Sequence, residues 1–333
     1  TLWAIEGKRN EICRINTFVR KDWLDKLGLK EPTNKAEFEA MLVAFKDNAE
    51  TLLGADASKM VPYSISYDVG WRAATLIESF MDPDITDKEY YVNGYDDRKF
   101  TENGTKEAIR LLNKWYNDGL IWHDFAEHSG SDDTTEDDMI KAGFVGAFTH
   151  NYDYPFRNGK DSINATLAAQ YGDDAKFVAV NCFEDKNGKY TKYRYSESGD
   201  RKVFFPATND EPIESLCYLE FMSDPAVVEF LQTGEEGVIH EVDAATGAIK
   251  IIAPDDAHHD WYQNSGKNID MTINCNGLRL STPELTTLSL AYTYSDVDPA
   301  DVQAANEAAS LDSVVPKTPS VGDIAAETEA TDL

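Results

Sequence analysis

The stretch RKDWLDKLGLKEPTNKAEFEAMLVAF, residues 20–45, decides how the rest of the chain is read. It follows an apolar run, Ile12 to Val19, that reads as a strand. Asp22 is placed to cap a short helix over Trp23–Leu27, and Gly28 to stop it by taking a left-handed conformation. After Pro32, Asn34 and Glu37 have the spacing of a capping box, and Phe38, Met41, Leu42 and Phe45 then share one helical face. A strand followed by two helices is the opening of an α/β unit.

Working outward, Leu2 to Ile5 reads as a strand joined to Ile12–Val19 by a hairpin or short loop through charged Glu6–Asn10. Residues 60–68 read as a strand feeding a loop at Val69-Gly70-Trp71, with a helix over Ala73–Phe80. Asn93-Gly94 between aromatics predicts a hairpin turn. Thr105 caps a long helix with Ala108, Leu111, Leu112, Trp115 and Tyr116 on one face and Gly119 at its end. Ser131–Asp138, with five acids in eight residues, reads as a solvated loop or a helix start. Phe144–Phe148 is a short strand leading into the loop Asn151–Pro155, and Phe177–Phe183 is another, followed by a hairpin turn at Asp185–Gly188. Asp161–Tyr171 suits a helix, Lys202–Pro206 a strand and Pro212–Met222 a helix. Asp224-Pro225 opens a helix whose apolar residues are Val227, Val228, Phe230 and Leu231, and Asp298-Pro299 opens one to Ala309. Residues 312–333, rich in Ser, Thr, Pro, Ala and Glu, read as a loose tail. Short strands interleaved with helices along 333 residues predict an α/β protein of two lobes.

Sixty acidic against thirty-one basic side chains leave a net charge of −29. Such a surface repels phosphate backbones and anionic lipid, which excludes nucleic-acid binding and leaves a neutral or cationic ligand open. Cys13, Cys182, Cys217 and Cys275 are too few and too scattered for a disulfide scaffold, and none forms a CxxC pair. No apolar run approaches the ~20 residues that cross a bilayer. The chain opens on Thr-Leu-Trp-Ala-Ile, which reads like the inside of a strand, so part of the natural N-terminus is expected to precede it.

No GxGxxG, P-loop, GxSxG or HExxH motif is present, so the sequence signals no enzyme and no cofactor. With sixty acids, some carboxylate pair will meet glycosidase spacing by chance, so pairing carries no information. Asp255-Asp256-Ala257-His258-His259-Asp260 has metal-friendly side chains but reads as a solvated loop, and no metal site is expected. Loop aromatics say more. Trp71 stands at a strand-to-helix junction, Tyr152 and Tyr154 flank Asp153 after a strand, and Trp261-Tyr262 adjoin the acidic cluster. Flat aromatic faces beside amides and acids suit a sugar, whose C–H faces are apolar and whose edge is hydroxyls. Core packing is the other reading for each; it holds for Trp23 and Trp115 and stands level with ligand contact for Trp71.

Residues 20–29, with Glu31-Pro32-Thr33 and the capped helix to Phe45, resemble a block of the family 1 extracellular solute-binding proteins. These are carbohydrate-type receptors of ABC importers, and the likeness is to their Gram-positive lipoprotein branch. Leu112–Ile121, Lys141–Phe148 and Ser223–Val238 resemble three further blocks of that family, in the family's order over roughly residues 1–250. The resemblance implies a two-lobed, periplasmic-binding-protein-like α/β fold of type II, as in maltose-binding protein, here incomplete. Family members carry a lipobox cysteine and about the first third of the fold before the equivalent of Thr1, and continue beyond the equivalent of Leu333. On that reading residues 1–200 are most of the second lobe, 201–290 a return segment into the first, and 291–333 a truncated crossover or tail.

The implied function is a non-enzymatic, monomeric extracytoplasmic receptor, anchored by lipid at the cell surface. It would capture a sugar or oligosaccharide and deliver it to permease subunits. By analogy with the maltose-binding branch, Trp71, Asn151 and Tyr152 would stack on or hydrogen-bond to the sugar. Arg20 and Glu236 lie near hinge and cleft rim, where a structural salt bridge remains equally open, and Trp261 and Tyr262 complete the candidate ligand-binding set without a firm family counterpart. The alternatives are a secreted carbohydrate-active hydrolase using a carboxylate pair, or a same-fold receptor for peptides or other small solutes.

Overall fold

A computed structural model describes residues 4–66, 68–86, 88–89, 103–128, 134–197, 201–252 and 275–314. The elements run β1 (Ala4–Arg9), β2 (Ile15–Arg20), α1 (Lys21–Leu27), α2 (Lys35–Asp47), α3 (Ala49–Leu53) and β3 (Val61–Ser64). The single turn α4 (Val69–Arg72) follows, then α5 (Ala74–Glu78), α6 (Asn103–Asn117), α7 (Thr135–Lys141) and β4 (Val145–Asn151). Next come α8 (Ile163–Tyr171), β5 (Phe177–Val180), β6 (Lys192–Tyr193), β7 (Arg201–Phe204), α9 (Pro212–Phe221) and α10 (Pro225–Thr233). Short strands β8 (His240–Val242), β9 (Ile249–Ile251) and β10 (Cys275–Asn276) precede α11 (Pro283–Ser289), α12 (Pro299–Ser310) and β11 (Ser313–Val314). The mixed α/β class is as the sequence predicts.

The chain divides into two compact units. Unit 1 comprises Thr1–Cys13, Asp153–Thr166 and Tyr195–Asn306, and unit 2 comprises Arg14–Tyr152, Leu167–Arg194 and Glu307–Leu333. Unit 2 is built on a four-stranded sheet, β3-β4-β2-β5, in which β3 and β4 are parallel and β2 runs antiparallel to both β4 and β5. Every residue of β2 is buried. α2 lays Phe38, Met41, Leu42 and Phe45 against this sheet, started by Asn34 Oδ1 accepting the Glu37 N–H at 2.9 Å as the capping box requires. Trp23 meets Phe45 edge-on at 5.2 Å, and Phe38 meets Tyr63 and Phe183 edge-on at 5.4 and 5.0 Å. Gly146 in β4 allows that closeness, since a Cβ there would lie 2.6 Å from the Phe45 ring and 2.9 Å from both the Pro62 carbonyl and the Trp23 ring. Unit 1 holds a three-stranded sheet, β10-β1-β7, and the β8-β9 pair.

The hairpin expected between the first two strands does not form: β1 pairs with β7 and β10, β2 with β4 and β5. The charged stretch read as its turn is β1 itself, because a strand held by main-chain bonds in a partly exposed sheet tolerates Glu6, Lys8 and Arg9. Asp22 does not cap α1; its carboxylate takes the Arg20 guanidinium instead, while Gly28 ends the helix at φ 65° as read. α6 begins at Asn103, so Thr105 lies inside its first turn, and the Val69–Trp71 loop is a helical turn. The Asp185–Gly188 turn forms, with Gly188 N–H on the Asp185 carbonyl at 3.0 Å, but the flanking β5 and β6 pair with β2 and β11 rather than with each other. The Asn93-Gly94 turn lies outside the described residues. No helix among the described residues is long and apolar enough to cross a membrane.

Candidate functional site

Because β3 and β4 are parallel, with Tyr63 opposite Ala147 and Ser64 opposite Phe148, their C-terminal ends leave unit 2 along one edge. Open α/β sheets place ligands beyond that edge. β2 runs the other way and pairs Ile15 with Asn151, so its first residues reach the same edge. Three segments meet there: Arg14, the α4 turn and residues 150–152.

Asp68 starts α4 by accepting the Trp71 main-chain N–H at 3.1 Å, which fixes the backbone from which the half-buried indole projects. The Arg14 guanidinium lies 4.7 Å from the indole centroid, and its Nη1 is 3.5 Å from Glu78 Oε1 on α5. The Arg14 carbonyl accepts the Tyr152 N–H at 3.1 Å. The Asn151 N–H donates to His150 Nδ1 at 2.7 Å, which requires that nitrogen to carry no proton.

Beneath this edge lies a buried polar layer. Ser64 Oγ donates to Glu136 Oε1 at 2.8 Å, Arg72 Nη2 stands 3.0 Å from Glu136 Oε2, and Arg72 Nε donates to Ser66 Oγ at 3.1 Å. Glu136 is 6% exposed, and burial pushes its carboxyl above the usual range despite Arg72 and Ser64. Hydroxyls of Thr75, Thr17, Thr149 and Tyr63 form a chain with steps of 3.2, 3.0 and 3.0 Å, and the Tyr63 O–H reaches the Arg72 carbonyl at 3.2 Å. The C-terminal end of α4 is therefore tied through Arg72 to β3 and α7, and its first turn is closed by Asp68, which together hold the segment that carries Trp71.

The structure thus brings together Trp71, Asn151 and Tyr152. Tyr152 is 3% exposed, whereas Trp71 and Asn151 keep partial exposure. Arg20 stands at the opposite end of β2, buried, with Nε and Nη2 on Asp22 at 2.8 and 2.7 Å and Nη1 on the Gly143 carbonyl at 3.0 Å. Of its two readings, these contacts belong to the structural salt bridge. Glu236 is exposed in unit 1, beside a bridge to His240. Trp261 and Tyr262, like Asp255–Asp260, lie outside the described residues. Among the described residues no group of three or more His, Cys, Asp or Glu could hold a metal ion. Cys13, Cys182 and Cys275 are buried and Cys217 is exposed.

Arg14, Arg72, Glu78, Glu136 and His150 escaped the sequence reading. A lone cation inside the apolar run Ile12–Val19 was the available signal for Arg14. For Glu136 it was the four-residue spacing to Ile140, which puts both on the buried face of α7. Elsewhere in unit 2 a cavity of about 810 Å³ lies among Lys35, Phe80, Asp82, Asp84, Glu184 and Lys186. Lys186 is matched there by Asp82 and Asp84 at 2.6 and 2.9 Å, and the Lys35 ammonium lies 5.1 Å from the Phe80 ring centroid.

No family model and no curated protein matches this sequence. Solved structures do. The alginate-binding protein AlgQ2, solved without calcium ion, aligns over 92% of this chain and 58% of its own at 16% identity, with a TM-score of 0.59. An HMO-binding, ABC-transporter-associated solute-binding protein from Bifidobacterium longum infantis aligns over 93% and 60% at 19% identity, again with a TM-score of 0.59. The S. pneumoniae substrate-binding protein FusA, an EF-hand mutant in complex with fructo-nystose, aligns over 91% and 65% at 14% identity and a TM-score of 0.55. The chain therefore has the α/β fold of ABC-transporter solute-binding proteins, and it spans about three fifths of the length of the structures it matches.

Proposed function

We propose that this chain is an extracytoplasmic solute-binding receptor of an ABC importer that captures a sugar or oligosaccharide and passes it to permease subunits. The observation that carries this reading is the half-buried Trp71 indole, carried on the turn that Asp68 closes and faced by Arg14, beside Asn151 at the strand ends of a fold whose solved examples bind carbohydrates. An indole face packs against the C–H face of a sugar ring, while Asn151 and the neighbouring charged groups supply hydroxyl partners. The two units are its two lobes. The chemistry is binding without turnover, and a lipid anchor at the cell surface belongs to the same proposal.

A thermal-shift screen against oligosaccharides, basic peptides and free amino acids tests it. A ligand at 100 times its dissociation constant adds about 2.7 kcal/mol of stability, a readily visible rise in midpoint. Trp71→Ala is expected to weaken sugar binding by roughly 1–3 kcal/mol while leaving the unliganded midpoint nearly unchanged. A collapse of that midpoint would make Trp71 a core residue and remove it from the site. Product release from a sugar at a catalytic rate would replace the receptor with a hydrolase.

A further inference from the structure

Two guanidinium groups belong to the Trp71 edge, and each already has a carboxylate. Arg14, over the indole, faces Glu78, with the two side chains 24% and 15% exposed. Arg72, the next residue on α4, faces the buried Glu136. His150 Nδ1 accepts the Asn151 N–H, so this nitrogen is already engaged within the protein. Asp68, exposed at the start of α4, adds a negative charge of its own. The two guanidinium groups of this edge are therefore each matched by a carboxylate, although the Arg14 N–H groups remain suited to hydroxyl oxygens. Arg14 also occupies one face of the indole, so a solute ring has only the other to stack on.

We infer that the Trp71 subsite takes one uncharged sugar ring and discriminates against uronate rings, with Glu78 setting that preference by compensating Arg14. The inference rests on the sugar-receptor reading and narrows its substrate class. A uronate carboxylate approaching the indole meets Asp68 and two guanidinium groups whose charge is already met, so it loses hydration without finding a free cationic partner. A neutral ring loses no ionic hydration and keeps the stacking contact.

Calorimetric titration of the full chain with neutral malto-, xylo-, fructo- and galacto-oligosaccharides, and with oligogalacturonates of matched length, tests this. The wild type is expected to bind its best neutral sugar at least about tenfold more tightly than any uronate, a ratio worth about 1.4 kcal/mol. Glu78→Gln uncovers Arg14, which can then pair with a carboxylate in two-point fashion, and the ratio should fall by about tenfold. Arg14→Met, which keeps an apolar cover on the indole, should move the ratio the other way. A wild type that prefers uronates, or a Glu78→Gln variant with an unaltered thermal midpoint and an unaltered ratio, overturns the inference while the receptor reading stands. Should Glu78→Gln fail to fold, an unchanged ratio in Arg14→Met overturns it equally. Absence of binding to every sugar in both sets defeats the receptor reading itself, and the inference with it.

Discussion

The interior of unit 2 and that of unit 1 contrast in how they use the same kind of sequence. In α2, apolar residues at helical spacing all vanish into the core, where Phe38 sits among Tyr63, Trp115 and Phe183 at centroid distances of 5.0–5.7 Å. In α9 the comparable spacing leaves Ile213 65% and Phe221 59% exposed, and Phe204 on the edge strand β7 is 65% exposed. One apolar cluster of unit 1 gathers only Ile249, Leu278 and Leu280, with Leu285 and Leu290 packed against it. Amphipathic spacing specifies which face a helix offers; whether that face is covered depends on another element of matching shape arriving from elsewhere in the chain.

The sharpest way to break this contrast is to truncate one aromatic on each side. Phe38→Ala is expected to cost about 3–5 kcal/mol in denaturant unfolding, as for a fully buried ring whose cavity cannot collapse. Phe221→Ala should stay within about 0.5 kcal/mol, since little is withdrawn from a packed environment. Equal losses would mean that the α9 face is covered in solution.

A smaller effect concerns the polar atom within unit 2's aromatic core. Trp115 is fully buried and its indole N–H donates to Glu39 Oε2 at 2.8 Å. Glu39→Ala strands that donor and is expected to cost about 1–3 kcal/mol, with Glu39→Gln, which keeps an acceptor, recovering most of it. Equal stability of the two variants would show that the N–H finds another partner.

The smallest expected effect is a pH slope. Burial raises the Glu136 carboxyl above its usual value of 4.5, so the folded state holds that proton more tightly than the unfolded chain does. Its contribution is fully present below the usual value and is lost as pH rises through the raised one. Glu136→Gln should therefore remove part of the decline in unit 2 stability from about pH 4.5 upward and leave probes in unit 1 unmoved. An unchanged slope would mean that Arg72 compensates the charge fully.

The legibility of the sequence follows the same division. Signals between near neighbours were readable: the Asn34–Glu37 box, the Gly28 stop and Asp224 accepting the Ala226 and Val227 N–H groups at the start of α10 all form as expected. Signals whose meaning lies in a distant partner were not. Nothing local distinguishes β1 as a partner of β7 rather than of β2, because main-chain pairing is indifferent to which strand supplies it. Within the site, Trp71 stood out as an aromatic at a strand-to-helix junction. Glu136 was hidden in an acidic run because its role depends on Ser64 and Arg72, far off in sequence. Tyr152 shows the converse: its neighbours suggest a loop, and its 3% exposure, with its N–H on the Arg14 carbonyl, could not be read from them.

The pairing of β1 also bears on the order in which the sheets can close. β2 has its sheet partners once Val180 has been made, whereas β1 waits for Arg201–Phe204 and then Cys275–Asn276. Until those segments are in place the strand has open edges. Unit 2's sheet can close meanwhile, and β1 is shielded from pairing with a neighbouring nascent chain by its own Glu6, Lys8 and Arg9. The charges that make this strand read as a turn also disfavour its pairing with a second chain before its own partners arrive.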